Sequence, residues 1–506
     1  MPALPHRNAI ALAAVCLSCL MFGLEISSIP AILPTLERAL RADFGQLQWI
    51  MNAYTIAVTT VLMAVGTLAD RYGRKRMFLA AVLAFGLTSL VCGVTANVTT
   101  LIVARFLQGL SGGAMLICQV AILSHAFRDG QARAAAFGWW GVIFGIGLGF
   151  GPIVGGAIAA ILGWQWVFLI HAVLAIATLA LILVGVDESR DPAAGKLDLA
   201  GIVTLSLAVF GLAYFITQGP ELGFASIAEL AILAATITCF VLFLIAERVS
   251  ERPMFDFSVF RNRSFAGAIV GSAAMNISYW PFMIYLPIWF HAGLRYDSVT
   301  AGLALLAYTL PTLVMPPFAE RLSLRYRPGI VIPAGLAAIG AGFLLMRLGV
   351  GAAHPDWRTM LPGCLVAGIG LGMTNTPVTN TTTGSVPSDR AGMASGIDMS
   401  ARMISLAINI AVMGLILLNG VLAYLVRMQS GSATLTQRSL AERIAAGNMA
   451  AVAGISDTAA HAALANGFAW VMTYGWIGVW IMAGISATVF HWPERRSRDE
   501  RHMCEA

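Results

Sequence analysis

Residues Gly66 to Lys75 read G-T-L-A-D-R-Y-G-R-K, and this charged stretch separates two long apolar segments, 50–69 and 77–94. Together with the residue that follows, it carries five charged side chains: Asp70, Arg71, Arg74, Lys75 and Arg76. Because the hydrocarbon core of a bilayer cannot solvate five charges, the stretch must lie at a membrane face. Its position therefore fixes the sidedness of the rest of the chain.

The composition indicates a multi-pass membrane protein. Of the 506 residues, 58% are hydrophobic and only 11% are charged, whereas soluble domains carry about 25% charged residues. A soluble fold could not cover so much apolar surface, so that class is excluded. The net charge of +6 comes from basic residues in short turns between apolar segments, which does not indicate nucleic-acid binding.

Apolar segments long enough to cross a bilayer, which takes about 20 residues, occur about fourteen times in the chain. They are 10–33, 50–69, 77–96, 101–123, 134–161, 164–186, 200–217, 227–246, 265–290, 301–319, 330–348, 360–381, 392–425 and 468–490. The prediction is an all-α membrane protein with three parts. Residues 1–190 hold six spans, 191–263 hold two additional spans with linkers, and 264–506 hold six more with a long external loop at about 428–466. A short helix is expected near 439–445.

The distribution of positive charge predicts the orientation. Most of the 31 Lys and Arg residues lie in turns on the same side as Arg7 and the 71–76 turn. Positive turns concentrate on the cytoplasmic side of a membrane, so both termini are predicted to be cytoplasmic, with an even number of spans. The first apolar run continues to Ile29 without a clear cleavage site, which favours an uncleaved span over a signal peptide. The predicted location is the cytoplasmic (inner) membrane.

Four motifs follow one another within about the first 170 residues. They are Trp49 and Tyr54 at the start of span two, the Gly66–Lys75 turn, Leu101-x-x-x-Arg105-x-x-Gln108-Gly109 in span four, and Gly147-x-x-x-Gly151-Pro152-x-Val154-Gly155-Gly156 in span five. With these motifs the chain resembles the major facilitator superfamily, specifically its fourteen-span drug:proton antiporter branch. The resemblance implies two six-helix bundles that rock around a central site, with two extra central helices between them.

The resemblance also implies that the charged turn is a cytoplasmic gate. Its predicted members are Gly66, Asp70, Arg71, Gly73, Arg74, Lys75 and Asp129. A carboxylate at a helix end can accept hydrogen bonds from the N-terminus of another helix, and the start of span thirteen near Gly392 is the expected donor. Arg74 is expected to pair with Asp129 after span four. The alternative is a charged turn that only sets the topology.

The span-five motif places small residues at roughly one-turn spacing. Its members Gly147, Gly151, Pro152, Gly155 and Gly156 resemble the antiporter motif of the family. Small residues let two helices approach closely, and a proline inside a helix removes one backbone hydrogen bond and kinks the helix. A bent, closely packed helix is expected to seal the carrier against leakage. Packing alone would produce the same composition.

Glu25, in the middle of span one, is the predicted proton-exchanging carboxylate. A charge in mid-bilayer costs about 2.5–3.5 kcal/mol on insertion scales, so such groups usually serve a function. The family typically has an aspartate there, and this chain keeps an acid, although Pro30 replaces the usual asparagine. Arg105 resembles the proton-coupling arginine of the family and is the expected basic partner. The alternative for Glu25 is a structural hydrogen bond across helices.

Asp398 and Arg402 are four residues apart in span thirteen, so they share a helix face and can pair. Family members usually have an arginine at the second position but a small polar residue at the first. Two roles for Asp398 stay open, a second protonation site or simple neutralisation of Arg402.

A substrate cavity is predicted from a polar run in span twelve and from aromatic residues that could stack on a flat cation. The candidate cavity residues are Asn375, Thr379, Tyr285 and Trp289, with Trp139, Trp140, Tyr279 and Trp280 as further aromatics. Residues 317–321, P-F-A-E-R, occupy the place of a repeated signature turn but lack its glycines. The scattered histidines His125, His171 and His291 are interpreted as isolated polar packing.

The predicted function is proton-coupled export of small amphipathic or cationic compounds by alternating access. No nucleotide-binding or H-E-x-x-H zinc motif is present in the sequence, so no enzyme activity, metal or cofactor beyond a proton gradient is expected. The alternatives are a dedicated metabolite exporter, a proton-coupled importer, or a non-transporting membrane sensor or scaffold. The expected partners are a small-molecule substrate, protons and the lipid bilayer. A periplasmic adaptor cannot be recognised from the sequence.

Overall fold

The computed structural model describes residues 6–42, 44–128, 130–190, 198–249, 257–352, 355–429, 435–449 and 455–491. These residues form fourteen long α-helices, one short α-helix, two 3-10 segments and one π segment, without β-strands. The helices are α1 His6–Leu40, α2 Phe44–Tyr72, α3 Arg74–Val94, α4 Val98–Ala126, α5 Gly130–Ile161, α6 Gln165–Gly185, α7 Leu199–Leu222, α8 Ile227–Val249, α9 Arg263–Ile288, α10 Ser298–Tyr326, α11 Pro328–Val350, α12 Trp357–Gly384, α13 Ala391–Gln429, α14 Leu435–Ala445 and α15 Asp457–His491. The predicted all-helical fold is confirmed.

Twelve of the helices in the described part of the chain are long and apolar enough to cross a membrane by length and composition. The other two long helices, α9 and α12, correspond to predicted spans nine and twelve but are more polar. Their polar residues include Ser272, Asn276 and Thr379, all of which are buried inside the protein. A helix surrounded by other helices does not need an apolar surface on every side. The count of about fourteen spans is therefore compatible with the structure.

Buried apolar side chains form two clusters in α1–α6, one of which also includes Met399 of α13, and a third within α9–α15. The two additional helices, α7 and α8, pack on each other, and α7 also lies against α2 and α13. Trp49 of α2 stacks near Tyr214 of α7 with ring centroids 5.7 Å apart. The additional pair thus covers the seam between α2 and α13. The residue boundaries of the three predicted parts stay a prediction.

The predicted external loop at about 428–466 is shorter than expected. Helix α13 continues to Gln429 and α15 already begins at Asp457. A count of apolar residues missed this extension because the first residues of α15 are polar. A helix can continue beyond the hydrocarbon core, where polar residues are tolerated. Helix α14, Leu435–Ala445, covers the short helix predicted near 439–445.

The span-five motif packs α5 against α1. An added Cβ at Gly147 would lie 2.9 Å from the Cα of Gly23, closer than real Cβ contacts allow. The hydroxyl of Ser27 donates to Gly147 O at 2.8 Å, and that of Ser28 donates to Gly151 O at 3.0 Å. Small side chains here allow both the close approach and the interhelical hydrogen bonds.

Two members of the motif do not lie in this contact. Nothing lies within 4 Å of a Cβ added to Gly156, and Pro152 is exposed while α5 continues through it as one helix. Glycines four residues apart share one face of a helix, which is why Gly147, Gly151 and Gly155 face α1 whereas Gly156 does not.

We expect Gly147→Val to destabilise the protein by about 1–3 kcal/mol, because the added methyl groups would force α1 and α5 apart. Gly156→Val is the matched control on the same helix, with the same change in helix propensity but open space beside it. Thermal unfolding in detergent micelles, followed by tryptophan fluorescence, measures both. Equal loss of stability in the two variants would contradict the close-packing role of Gly147.

Candidate functional site

Asp70 joins the end of α2 to the beginning of α13. Its Oδ1 accepts from the N–H of Gly392 at 3.2 Å, and its Oδ2 accepts from the N–H of Met393 at 3.0 Å. Amides in the first turn of a helix have no acceptor within the helix, and Asp70 supplies one for α13. The helix dipole also favours a carboxylate at this end. We call the end of the helix bundle that carries Asp70 and Gly392 the signature face.

Arg74 completes this contact. Its guanidinium donates to Asp70 Oδ1 through Nη2 at 2.7 Å and to the carbonyl of Ser388 through the same nitrogen at 2.7 Å. Arg74 is fully buried, so the pair is shielded from water. The expected partner Asp129 lies outside the described residues, so that pairing stays a prediction; among the described residues Arg74 pairs with Asp70. One arginine therefore links α3, α2 and the segment that precedes α13.

Two glycines permit this geometry. A Cβ at Gly66 would lie 2.5 Å from the carbonyl oxygen of Gly392. The backbones of α2 and α13 can therefore come into contact here only because residue 66 has no side chain. Gly73 has φ 111°, a conformation that residues with a Cβ rarely adopt. It lets the chain turn sharply between α2 and α3. Of the other predicted gate residues, Lys75 donates to Leu183 O at 3.0 Å, and Arg71 lies over the ring of Tyr72.

Glu188, which the sequence analysis did not identify, caps the beginning of α3. Its Oε1 accepts from the N–H of Lys75 at 3.1 Å, and the neighbouring Ser189 carbonyl accepts from the N–H of Arg74 at 2.9 Å. An acidic side chain at a helix N-terminus is the usual solution for unsatisfied amides. The segment after α6 thus also holds the charged turn in place.

The second buried centre surrounds Glu25 and lies inside the α1–α6 half. Glu25 is fully buried on α1, and its Oε1 accepts a hydrogen bond from Arg105 Nη1 of α4. Arg105 also donates to Gln108 Oε1 at 2.7 Å and to the carbonyl of Ile50 at 3.1 Å. The ring of Tyr54 lies under the guanidinium, 4.4 Å from its central carbon. The predicted partner Arg105 is therefore in direct contact with Glu25.

His171 of α6 is the third titratable group of this centre, and it was missed because it stands alone in the sequence. Its Nδ1 lies 3.3 Å from Glu25 Oε2 and 3.0 Å from the carbonyl of Val167. A neutral imidazole that donates from Nδ1 to Val167 O leaves Glu25 Oε2 without a hydrogen-bond donor among the described residues. The interpretation of His171 as isolated packing is wrong. Only the fold brings α6 beside α1.

The third centre surrounds Asp398 in the other half. Asp398 is fully buried, and its Oδ1 accepts from Arg402 Nε at 3.1 Å and from the hydroxyl of Ser272. Its Oδ2 accepts from the hydroxyl of Thr379 at 2.8 Å and from Arg402 Nη2 at 3.3 Å. Arg402 reaches further to the side chain of Asn375. Both carboxylate oxygens of Asp398 therefore accept hydrogen bonds, whereas Glu25 has a donor only at Oε1.

A narrow cavity of about 20 Å³ lies between the two halves, lined by α5, α9, α10 and α12. Its walls include Phe144, Tyr279, Trp280 and the predicted Asn375. A drug-sized ligand needs roughly 300–1,000 Å³, whereas one water needs about 10–15 Å³ of this kind of space. This cavity is therefore too small for a drug-sized ligand in this conformation.

Three predicted cavity residues do not line this space. Thr379 is bound between Asp398 and Arg402. Tyr285 donates its hydroxyl to Ile410 O at 2.7 Å, and Trp289 is buried against Phe468 with ring centroids 5.3 Å apart. Their part in substrate binding therefore stays a prediction.

The comparisons with known proteins agree with this architecture. A family model for the Major Facilitator Superfamily matches residues 14–409. The chain therefore belongs to the major facilitator superfamily, a family of transporters and not of enzymes. It is a multi-pass membrane transporter.

Several curated relatives are named for resistance or export. The chain is 31% identical over 414 residues to the multidrug resistance protein Stp of Mycobacterium tuberculosis (strain CDC 1551 / Oshkosh). The matched residues make up 81% of this chain and 76% of that protein. It is 28% identical to the quinolone resistance protein NorB of Staphylococcus aureus (strain MSSA476), over 80% of this chain and 87% of that protein. It is also 28% identical to the tetracenomycin C resistance and export protein of Streptomyces glaucescens, over 80% of this chain and 75% of that protein.

Solved structures share the fold at low sequence identity. The proton:xylose symporter XylE superposes with a TM-score of 0.63 at 13% identity, over 96% of this chain and 95% of that chain. The human organic anion transporter MFSD10 superposes with a TM-score of 0.60 at 14% identity, over 96% of this chain and 100% of that chain. At this identity the likeness shows the fold alone.

We expect Arg402→Met to destabilise the protein by about 3–5 kcal/mol, because it leaves Asp398 buried without its cation. The double variant Asp398→Asn/Arg402→Met removes both charges and should lose clearly less stability. Arg427→Met, at an exposed position of the same helix, is the matched control. Equilibrium unfolding in detergent micelles measures the differences, and a single variant no less stable than the control would contradict the coupling of the pair.

Proposed function

We propose that this transporter is a proton-coupled antiporter that exports small amphipathic or cationic compounds by alternating access. The observation that carries the proposal is the Glu25 centre. A carboxylate buried completely inside a helix bundle is held by Arg105 yet keeps one oxygen without a donor among the described residues. A proton on Oε2 would neutralise Glu25 without breaking a hydrogen bond to that atom.

Protonation of Glu25 would change the charge balance of the centre. With Glu25 ionised, the pair with Arg105 is neutral as a whole. With Glu25 protonated, the positive charge of Arg105 is buried without a counterion, which is unfavourable in a low-dielectric interior. The helices that hold the centre must then rearrange or admit water, and this ties proton uptake to a change of conformation.

His171 extends this exchange. In this proposal Nδ1–H of His171, which lies against Glu25 Oε2, delivers its proton to the carboxylate, while Nε2, which has no hydrogen-bond partner among the described residues, takes up another proton. Asp398, by contrast, has both oxygens satisfied, and we assign it to the neutralisation of Arg402. The proton gradient is the energy source, and no further cofactor enters the cycle.

The contact of Asp70 and Arg74 with α13 supplies the second half of the mechanism, a gate at the signature face. We place this face in the cytoplasm, with both termini on the same side in the cytoplasmic membrane, because the positive turns concentrate there. The closed central cavity of about 20 Å³ must widen when the gate opens. Substrate then enters from inside, the carrier reverses, and an external proton resets it.

The substrate class rests on the relatives, whose names refer to resistance to multiple drugs, quinolones and tetracenomycin C. The aromatic walls of Phe144, Tyr279 and Trp280 suit a flat apolar molecule and can stabilise a cation. A dedicated metabolite exporter or a proton-coupled importer is the second candidate, and the direction of flux separates it from drug export.

Proteoliposomes with an imposed pH gradient test the proposal, with ethidium and a quinolone as probes. We expect Glu25→Gln to abolish uphill transport while some downhill exchange remains, because the amide cannot exchange a proton. Glu37→Gln, at an exposed position on the same helix, should behave like the wild type.

Full gradient-driven export by Glu25→Gln would exclude Glu25 as the coupling group. Transport by the wild type in the import direction would favour the second candidate. Wild-type protein that moves neither probe, nor any member of a broader drug panel, would overturn the assignment to drug export.

A further inference from the structure

Helix α8 buries a carboxylate against α7. In the described part of the chain the buried residues of α8 are Glu229, Thr236, Phe243 and Glu247, and the first three recur every seven residues. Seven residues complete nearly two turns, so these three lie on one side of the helix. Thr236 contacts α7, because a Cβ added to Gly211 would overlap its hydroxyl oxygen. The side of α8 that carries Glu229 is therefore the side that faces α7.

Gln218 of α7 lies at the same level as Glu229. Helices α7 and α8 are neighbours joined by only four residues, 223–226, and therefore run in opposite directions. From the contact of Gly211 with Thr236, seven residues forward on α7 lead to Gln218 and seven residues back on α8 lead to Glu229. Both steps cover about 10 Å along the helix axis. Gln218 is 3% exposed and Glu229 is 0% exposed, so the register places a buried amide opposite a buried carboxylate.

Both groups are left without hydrogen-bond partners. The two carboxylate oxygens of Glu229 and the Nε2 of Gln218 are buried with no partner among the described residues, so the two side chains are not bonded to each other in this conformation. A buried polar group without a partner costs free energy, and a buried charge without one costs far more. An ionised carboxylate can only accept hydrogen bonds, and no described residue donates one to Glu229.

The two helices themselves supply no cation near Glu229. Tyr214 and Glu221 are the only titratable residues of α7, and the connection 223–226 has none. Along α8 the next titratable residue after Glu229 is Cys239, about 15 Å further along the helix axis. The only cation of α8 is Arg248, at the other end of the helix.

The site lies at the end of the bundle opposite the signature face. Helix α2 meets α7 at the rings of Trp49 and Tyr214, close to the start of α2, and its first charged residue is Asp70 at the signature face. Helix α13 also packs on α7, and its buried charges Asp398 and Arg402 are bonded to each other. Among the described residues, neither neighbour of α7 thus offers Glu229 a counterion.

A proton on Glu229 would remove this mismatch. A protonated carboxyl group has one O–H donor and one C=O acceptor, and the primary amide of Gln218 has N–H donors and a C=O acceptor. The two groups can then form two hydrogen bonds at once, from the O–H to the amide oxygen and from the amide N–H to the carboxyl oxygen. An ionised carboxylate can form only the second bond, and its other oxygen would repel the amide oxygen.

We propose that Glu229 is a proton-binding site of the additional helix pair and that the bound proton joins it to Gln218. The proton comes from the aqueous side next to the connection 223–226, opposite the signature face. It forms the O–H bond of the carboxyl group, and no other covalent bond is made or broken. The proton holds α8 on α7 where the two helices join, and its loss loosens this end. The site does not include Glu25 and does not depend on the direction or coupling of transport.

Infrared difference spectroscopy of the full-length protein in nanodiscs tests whether Glu229 binds a proton. As the pH is lowered from alkaline to acidic, the C=O stretching band of a protonated carboxyl group should appear in the wild type. Subtraction of the spectra of Glu229→Gln separates the band of Glu229 from those of other carboxyl groups. In Gln218→Leu the band should shift to higher wavenumber, because the carboxyl oxygen loses the amide donor. Glu37→Gln, exposed at the same end of the bundle, is the matched control and should keep the band.

Hydrogen–deuterium exchange of residues 227–236 measures the effect on α8. After correction for the intrinsic exchange rate, exchange in the wild type should be about tenfold slower at acidic than at alkaline pH, because two hydrogen bonds are lost when the proton leaves. Glu229→Gln should exchange slowly at both pH values, since its amide can form the same two bonds with Gln218. Gln218→Leu should exchange fast at both, and Glu37→Gln should follow the wild type.

A carboxyl band that is the same in the wild type and Glu229→Gln at every pH would overturn the proposal, because Glu229 would then stay ionised. An unshifted band in Gln218→Leu, or exchange of the wild type that does not depend on pH, would also overturn it. If sodium ions or ethidium remove the band at constant pH, the site binds a cation and the assignment to a proton is wrong.

Discussion

The structure depends on one constraint, namely that a charge inside a membrane-embedded bundle must have a partner. Asp70 and Arg74 satisfy each other and the first turn of α13, and Asp398 and Arg402 satisfy each other within the second half. Glu25 differs from these two carboxylates, because it is paired with Arg105 but keeps one oxygen without a donor in the described part of the chain. In the proposed mechanism this oxygen takes up the proton.

Single helices connect the Glu25 centre with the signature face and with the central cavity. Helix α2 carries Asp70 at the signature face and contributes Tyr54 and the carbonyl of Ile50 to the Glu25 centre. Helix α1 carries Glu25 and packs on the glycines of α5, whose other face lines the central cavity. A rearrangement around Glu25 can thus act on both gate and cavity without any further connecting element. Rigid helices that cross several sites are a common carrier of such coupling.

Much of this could be predicted from sequence, and the reasons for success and failure are physical. Hydropathy and charge located the spans, because lipid imposes length and composition on each of them. The contact between Asp70 and the start of α13 followed from helix-end chemistry. His171 and Glu188 could not be assigned roles from the sequence, because each acquires its partner only through packing between distant segments. Tyr285 and Trp289 pack against other helices in this conformation, because aromatic residues on a span face the core as readily as a cavity.

The central claim is that the protonation state of Glu25 controls the gate at the signature face. Spin labels at Arg128→Cys and Arg261→Cys, two exposed positions in different halves, report the distance across this face in a background without the native cysteines. Pulsed electron paramagnetic resonance in nanodiscs, from acidic to neutral pH, should show two distance populations whose ratio changes with pH. In Glu25→Gln the ratio should stay constant. An unchanged pH response in Glu25→Gln would contradict the account.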